Sequence, residues 1–147
     1  MSKISLQNPV VHTPKFKEYK ISGQELRKKY EGLGIEIPFP VSDYWYYHTD
    51  MDGLLTIAGH LLFKSTLYKT DRFDCEDYAL KAQGLCAELY GLNAHRYTYG
   101  KMPLGAHGFN SHWCGDGLLL FEPNNGFSSD PVFDIGHNGY IPLAVLL

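Results

Sequence analysis

Residues 73–79 read FDCEDYA and set one thiol, Cys75, among the carboxylates of Asp74, Glu76 and Asp77. At the first turn of a helix a thiolate is favoured by free backbone N–H groups and by the helix dipole. Three neighbouring carboxylates oppose that charge, so a nucleophilic role requires a cation close by. The segment AHGFNSHWCGDGLLLFEPNNG, residues 106–126, offers two imidazoles and an acid. Strand-like runs flank Gly115, Asp116 and Gly117, which predicts a hairpin.

Parity decides which imidazole can meet the acid. A two-residue loop, Gly115-Asp116 or Asp116-Gly117, puts His107, Phe109, Ser111 and Trp113 on one face with Leu118, Leu120, Glu122 and Asn124. His112 then turns to the other face with Leu119 and Phe121. With a Gly115-Asp116 loop, Asn124 lies across from His107 and Glu122 diagonal to it, so either can hold Nδ1–H of the ring. A loop of three residues reverses the choice of histidine. An imidazole held this way keeps its second nitrogen for a thiol proton, and Cys75, His107 and the orienting group make a nucleophile triad. The other reading of Cys75 is a small buried hydrophobe like Cys86.

These residues need a helix and a sheet to bring them together. Cys75, Ala79, Ala82, Cys86 and Leu89 recur at steps of four and three, the stripe of a helix over about 75–90. Asp74 stands at its N-cap position, Asp77 can answer as in a capping box, and Gly91 suits its left-handed end. Upstream, Ser22 and Glu25 have capping-box spacing before GQELRKKYEGLG, which Gly32 or Gly34 closes. IEIPFPVSDYW is a proline-broken connection. Asp50 or Asp52 caps a second helix over GLLTIAGHLLFKS, residues 53–65. Residues 1–20 read as an extended arm or edge strand. The sheet is expected from about residue 94 onward, with IPLAVLL at the end of the sequence joining it.

The 147 residues, 44% hydrophobic, suffice for one core, so residues 1–147 are expected to form a single α+β domain. A net charge of -3 and a longest basic run of Arg27-Lys28-Lys29 argue against a nucleic-acid partner. No apolar run is long enough to span a bilayer, and the first residues lack a secretory h-region, so no membrane association is expected. Cys75, Cys86 and Cys114, odd in number and without a C-x-x-C pair, suit a reducing, cytoplasmic setting.

YKTDRFDCEDYA (68–79), HGFN (107–110) and LFEP (120–123) together resemble the transglutaminase-like branch of the papain-like cysteine peptidase superfamily, over about residues 66–126. Bacterial members carry a D-C-[DE]-D-[YF]-A nucleophile helix, then a histidine opening a strand, then an acid on the next strand. The chain is also similar to the calcium-dependent protease domain of the fairy-ring mushroom agglutinin, whose acid is likewise a glutamate. The resemblance implies a papain/transglutaminase-like fold, a central helix bearing Cys75 packed on an antiparallel sheet. It assigns Cys75, His107 and Glu122 the catalytic roles, with Asn124 as the alternative third member. Two positions depart from the pattern: Glu122 stands where aspartate is usual, and Gly108 follows His107 where an apolar residue is common.

The expected activity is amide hydrolysis through a thioester, on a peptide or protein substrate; a transglutaminase or an inactive binding module is the alternative. Tyr68 is the candidate for a second oxyanion donor, and Asn110, Trp45 and Tyr47 are candidates for substrate contact. Within the aromatic run Tyr44–Tyr47 the alternative role is packing. No cofactor is required. Asp74, Glu76 and Asp77 are the weak candidates for calcium, on the strength of the agglutinin resemblance. His112 and Cys114 lack a third partner for zinc. His12, His48, His60, His95 and His137 share no spacing and read as surface or packing residues.

Overall fold

The structure is a computed structural model that describes residues 15–115, 117–128 and 130–147. Most of the expected arm, with His12, and Asp116 of the turn lie outside the described residues.

Strand β1 (Tyr19–Ser22) leads directly into helix α1 (Gly23–Gly32), where the Ser22 hydroxyl accepts the Glu25 N–H at 3.2 Å. β1 pairs with β2 (Trp45–His48) as an antiparallel ribbon. The aromatic run is therefore a strand, with Tyr46 buried and its neighbours alternating outward. Helix α2 (Met51–Leu61) is capped by Asp50, whose Oδ1 accepts the Gly53 N–H at 2.9 Å. It stops four residues before the expected end. Leu62 turns to extended backbone, and Phe63 gives its N–H to Pro123 O instead of to the helix.

Helix α3 (Cys75–Tyr90) has the expected bounds, and Gly91 ends it at φ 67°. Its buried face is Tyr78, Ala79, Ala82, Cys86 and Tyr90. The two tyrosines widen the predicted stripe, while Cys75 at its head remains half-buried. Five strands follow: β3 (His95–Met102), β4 (Gly105–Trp113), β5 (Leu118–Phe121), β6 (Val132–Asp134) and β7 (Ile141–Val145). They form one antiparallel sheet in the order β6-β5-β4-β3-β7, so the terminal apolar strand does join it.

The sheet separates two apolar clusters. Phe109, Trp113, Leu118, Leu120 and Phe133 face Leu26 and Tyr30 of α1, whereas Leu119, Phe121 and Val132 face α2 and α3. The period-2 alternation of strand side chains produces this division. Burial of the second face holds α3 against β3 and β4.

A histidine cluster sits in this packed region. His48, His95 and His112 are buried; His112 Nδ1 is 3.3 Å from His95 Nδ1, and His112 Nε2 accepts the Thr49 N–H at 3.3 Å. Both nitrogens of His112 are engaged, which removes it as a zinc ligand beside Cys114. Burial lowers the affinity of all three rings for protons, that of His95 to about 3. Protonation thus favours the unfolded chain, whose histidines titrate near 6.5.

Stability should be retained above about pH 6.5 and fall as the pH drops toward 3, by up to about 1.4 kcal/mol per pH unit for each such histidine. Urea midpoints measured between pH 7 and 4.5 check this. His95→Gln should flatten the slope by about one histidine's share.

Candidate active site

Cys75 opens α3 because Asp74 ends the extended segment before it, and the Asp77 carboxylate takes the Asp74 N–H at 3.2 Å. The thiol is aimed at β4. Pairing between β4 and β5 ends at Asn110↔Phe121, so β4 runs on toward its start with that edge open. At this edge the Gly108 N–H donates to Cys75 Sγ at 3.4 Å. Gly108 also explains how close the helix comes: a Cβ there would lie 3.1 Å from Glu76 Cα and 3.2 Å from Glu76 N. The glycine that follows His107, where the resembled pattern has an apolar residue, is the residue that admits the helix end.

The observed register matches a Gly115-Asp116 turn: Trp113 pairs with Leu118, and Cys114 N–H meets Gly117 O at 2.8 Å. Continued down the ladder, that register sets Glu122 diagonal to His107 on the face opposite His112. His107 Nε2 lies 2.6 Å from Glu122 Oε2, and both residues are buried. The expected atoms are thus exchanged. Glu122 holds Nε2, and Nδ1 is the nitrogen left for the thiol.

Burial opposes protonation of His107, but hydrogen bonds with Cys75 and Glu122 and the negative charge of both outweigh it and lift the ring to about 9. An imidazolium beside the sulfur is the cation that three local carboxylates made necessary. Each oxygen of Glu122 is engaged. Oε1 accepts the Asn124 N–H at 3.0 Å, and Oε2 also accepts the Tyr140 hydroxyl at 2.8 Å. Burial and the Glu122 charge push the Tyr140 hydroxyl up, so it remains a donor. Phe127 lies over His107 with ring centroids 5.0 Å apart, and Tyr140 meets the ring edge-on at 5.6 Å. Such aromatic contacts restrict ring rotation and exclude water.

Other predicted residues take different places. The Asn124 side chain accepts the Gly126 N–H at 2.9 Å, so its backbone supports the acid and its amide does not hold His107. Asn110, a candidate for substrate contact in the sequence, is fully buried and donates to Ala79 O at 2.8 Å, tying β4 to α3. Trp45 lies under the Lys20 ammonium, and Tyr47 packs on the α2–α3 cluster, so both help seat β2. Tyr68 is 43% exposed on the segment before α3. Sequence reasoning missed Tyr97 and Tyr140. Tyr97 is half-buried; burial raises its hydroxyl, and the charges of Glu76 and Cys75 raise it further. The tyrosines carried no spacing signal, since each lies far along the chain from Cys75.

Among the described residues, Asp74, Cys75 and Glu76 are the one group of three whose ligand atoms lie within 4.8 Å of one another. The Cys75 thiol donates to Glu76 Oε2 at 3.1 Å, while a hydrogen bond with Asp74 pulls Glu76 down and pushes Asp74 up. Asp77 is occupied by the cap. Two carboxylates and a sulfur are the ligand atoms gathered there, fewer than the six to eight oxygens of a calcium shell. A concavity of about 730 Å³ beside the start of α1 is lined by residues such as Arg27 and Tyr44 and by none of the triad candidates.

No protein-family model matches the chain, and no curated protein matches it in sequence. A solved structure described as a PSL1a–E64 complex is similar in fold, with TM-score 0.65 and 20% identity. The match covers 87% of this chain and 51% of that one, so this chain spans about half of that structure's length. The likeness supports a papain-like α+β fold. No helix among the described residues is long and apolar enough to cross a membrane.

Two substitutions test the geometry. Glu76→Gln removes a carboxylate that competes for the thiol proton, and iodoacetamide should then alkylate Cys75 about threefold faster at pH 6. Gly108→Val forces the helix end off the strand. It should slow Cys75 alkylation at least tenfold, with a thermal midpoint lower by several degrees.

Proposed function

We propose that this protein is a cysteine hydrolase of papain/transglutaminase-like architecture that cleaves amides in peptide or protein substrates. One observation carries the reading: His107 is held at Nε2 by a buried glutamate 2.6 Å away, and the N–H of the next residue, Gly108, reaches the thiol that opens α3 at 3.4 Å. The fold likeness to a structure in complex with the inhibitor E64 supports it.

With its proton already on the His107 imidazolium, Cys75 Sγ attacks the amide carbonyl as the thiolate, forming a C–S bond. The Cys75 N–H, at the open end of α3, donates to the oxyanion. We favour the Tyr97 hydroxyl over the exposed Tyr68 as second donor, because the Tyr97 ring lies against Gly108, whose N–H reaches Cys75 Sγ. His107 then protonates the leaving nitrogen as the C–N bond breaks. Water, giving a proton to His107, opens the thioester to acid and thiol. If an amine replaces water, the same steps transfer the acyl group. Glu122 keeps the imidazolium oriented throughout, and losing one partner of a buried pair costs about 3–5 kcal/mol.

Cysteine-resolved mass spectrometry after iodoacetamide treatment at pH 6 tests the pair. Cys75 should react at least tenfold faster than Cys86, whose thiol burial pushes up. His107→Ala should remove that advantage, and Cys75→Ala should abolish hydrolysis of a proteome-derived peptide library. Slow alkylation of Cys75 that ignores the state of residue 107 would sink the proposal.

A further inference from the structure

A concavity of about 550 Å³ opens on the segment that leads into α3. Thr66, Leu67 and Phe73 line it together with three cations, Lys69, Arg72 and Lys81. Neither Cys75 nor His107 lines it, so it is a site separate from the candidate triad. Its frame is fixed by backbone and core contacts. Lys69 and Phe73 exchange two N–H···O bonds at 2.8 Å, and the Arg72 N–H reaches Lys69 O at 3.0 Å. The Phe73 ring packs on buried Tyr78 with centroids 4.9 Å apart, and the Tyr78 hydroxyl donates to Lys64 O at 2.7 Å. Lys81 projects from α3 with its ammonium 4.4 Å from the centroid of the Phe63 ring.

Two features of this surface select a ligand. The first is uncompensated positive charge: among the described residues, none of Lys69, Arg72 and Lys81 is in an ion pair. Of the carboxylates nearest in sequence, Glu76 accepts from the Cys75 thiol and Asp77 from the Asp74 N–H. Neither lines the concavity, nor do Asp71 and Asp74. Like charges gathered at one place repel, and an anion relieves that repulsion. The second feature is accessible apolar surface, since Leu67 is 42% exposed and Phe73 only half-buried. A small inorganic anion answers the charge and leaves the apolar side chains wet. A flat anionic membrane does not enter a concavity and must also face the exposed Asp71 and Glu76. The chain's net charge of -3 offers no wider basic field for a nucleic acid.

We infer that this concavity docks an acidic segment of a partner protein, with carboxylates on Lys69, Arg72 and Lys81 and one aromatic or large aliphatic side chain against Leu67 and Phe73. The Arg72 guanidinium can hold a carboxylate through two parallel N–H groups, and the lysines act as point charges. Covering Leu67 and Phe73 removes their apolar surface from water. The inference goes beyond the cysteine-hydrolase reading and does not depend on it.

Fluorescence anisotropy with a fluorescein-labelled Glu-Glu-Asp-Phe-Glu-Glu peptide tests the site. Cys75→Ala protein is used throughout, so hydrolysis does not consume the probe and the outcome is independent of activity. The peptide should bind at least tenfold more tightly than Glu-Glu-Asp-Ala-Glu-Glu, and its affinity should fall as salt is added. Lys69→Gln/Arg72→Gln/Lys81→Gln should weaken binding at least tenfold, and Leu67→Ser should bring the two peptides close to equal affinity. These side chains are exposed, so thermal midpoints should stay within a few degrees. NMR titration of the protein without these changes gives a readout that needs no folded variant: amide shifts should centre on Leu67, Lys69, Arg72 and Phe73. Absence of binding, equal affinity for the two peptides, shifts centred elsewhere, or tighter association with phosphatidylserine vesicles than with the peptide overturns the inference.

Discussion

The close approach of the first turn of α3 to β4 is the contact on which the candidate site depends. It exists because β5 stops pairing at Asn110, leaving an edge N–H on Gly108, and because Gly108 has no side chain to hold the helix away. The sulfur takes the hydrogen bond that another strand would have taken. Asn110, two residues on, fastens the same strand to Ala79 O at the next turn of the helix. Two polar contacts and the apolar face of α3 thus fix the thiol against the sheet, and every distance to His107 follows from that seating.

Around this contact, charge is arranged in two opposed groups. On the exposed side, Glu76 accepts from the thiol and Asp74 stands beside it, where both carboxylates disfavour a thiolate. On the buried side, Glu122 anchors His107, Tyr140 and Asn124 saturate the glutamate, and aromatic rings exclude water. The buried group has the stronger influence because low local polarity magnifies its interactions while solvent screens the exposed acids. A separate group of buried histidines, neutral and apart from His107, links the same packed region to pH through stability.

Much of this was readable in the residues alone. The bounds of α3, its Asp74–Asp77 cap and its glycine stop follow from patterns within a few residues of one another, and the structure reproduces them. The parity of the hairpin brought His107 and Glu122 to one face and sent His112 to the other, as found. Local reading failed where distant segments compete for the same atoms. α2 ends early because Phe63 bonds to Pro123, and Trp45–His48 is a strand because β1 lies alongside it.

Helical and strand periods, caps and turn parity are short-range properties of the backbone, so α3, the hairpin and the residue types that meet there were legible in the residues alone. Tertiary structure decided the contacts at atomic level: His107 meets Glu122 through Nε2 rather than Nδ1, the Asn124 amide turns to Gly126, and the Tyr140 hydroxyl joins Glu122. The contacts that make these choices join residues 33, 15 and 18 positions apart. Over such separations no backbone period relates one side chain to another. Only the packing of α3 and the last strands on β4 sets their distances.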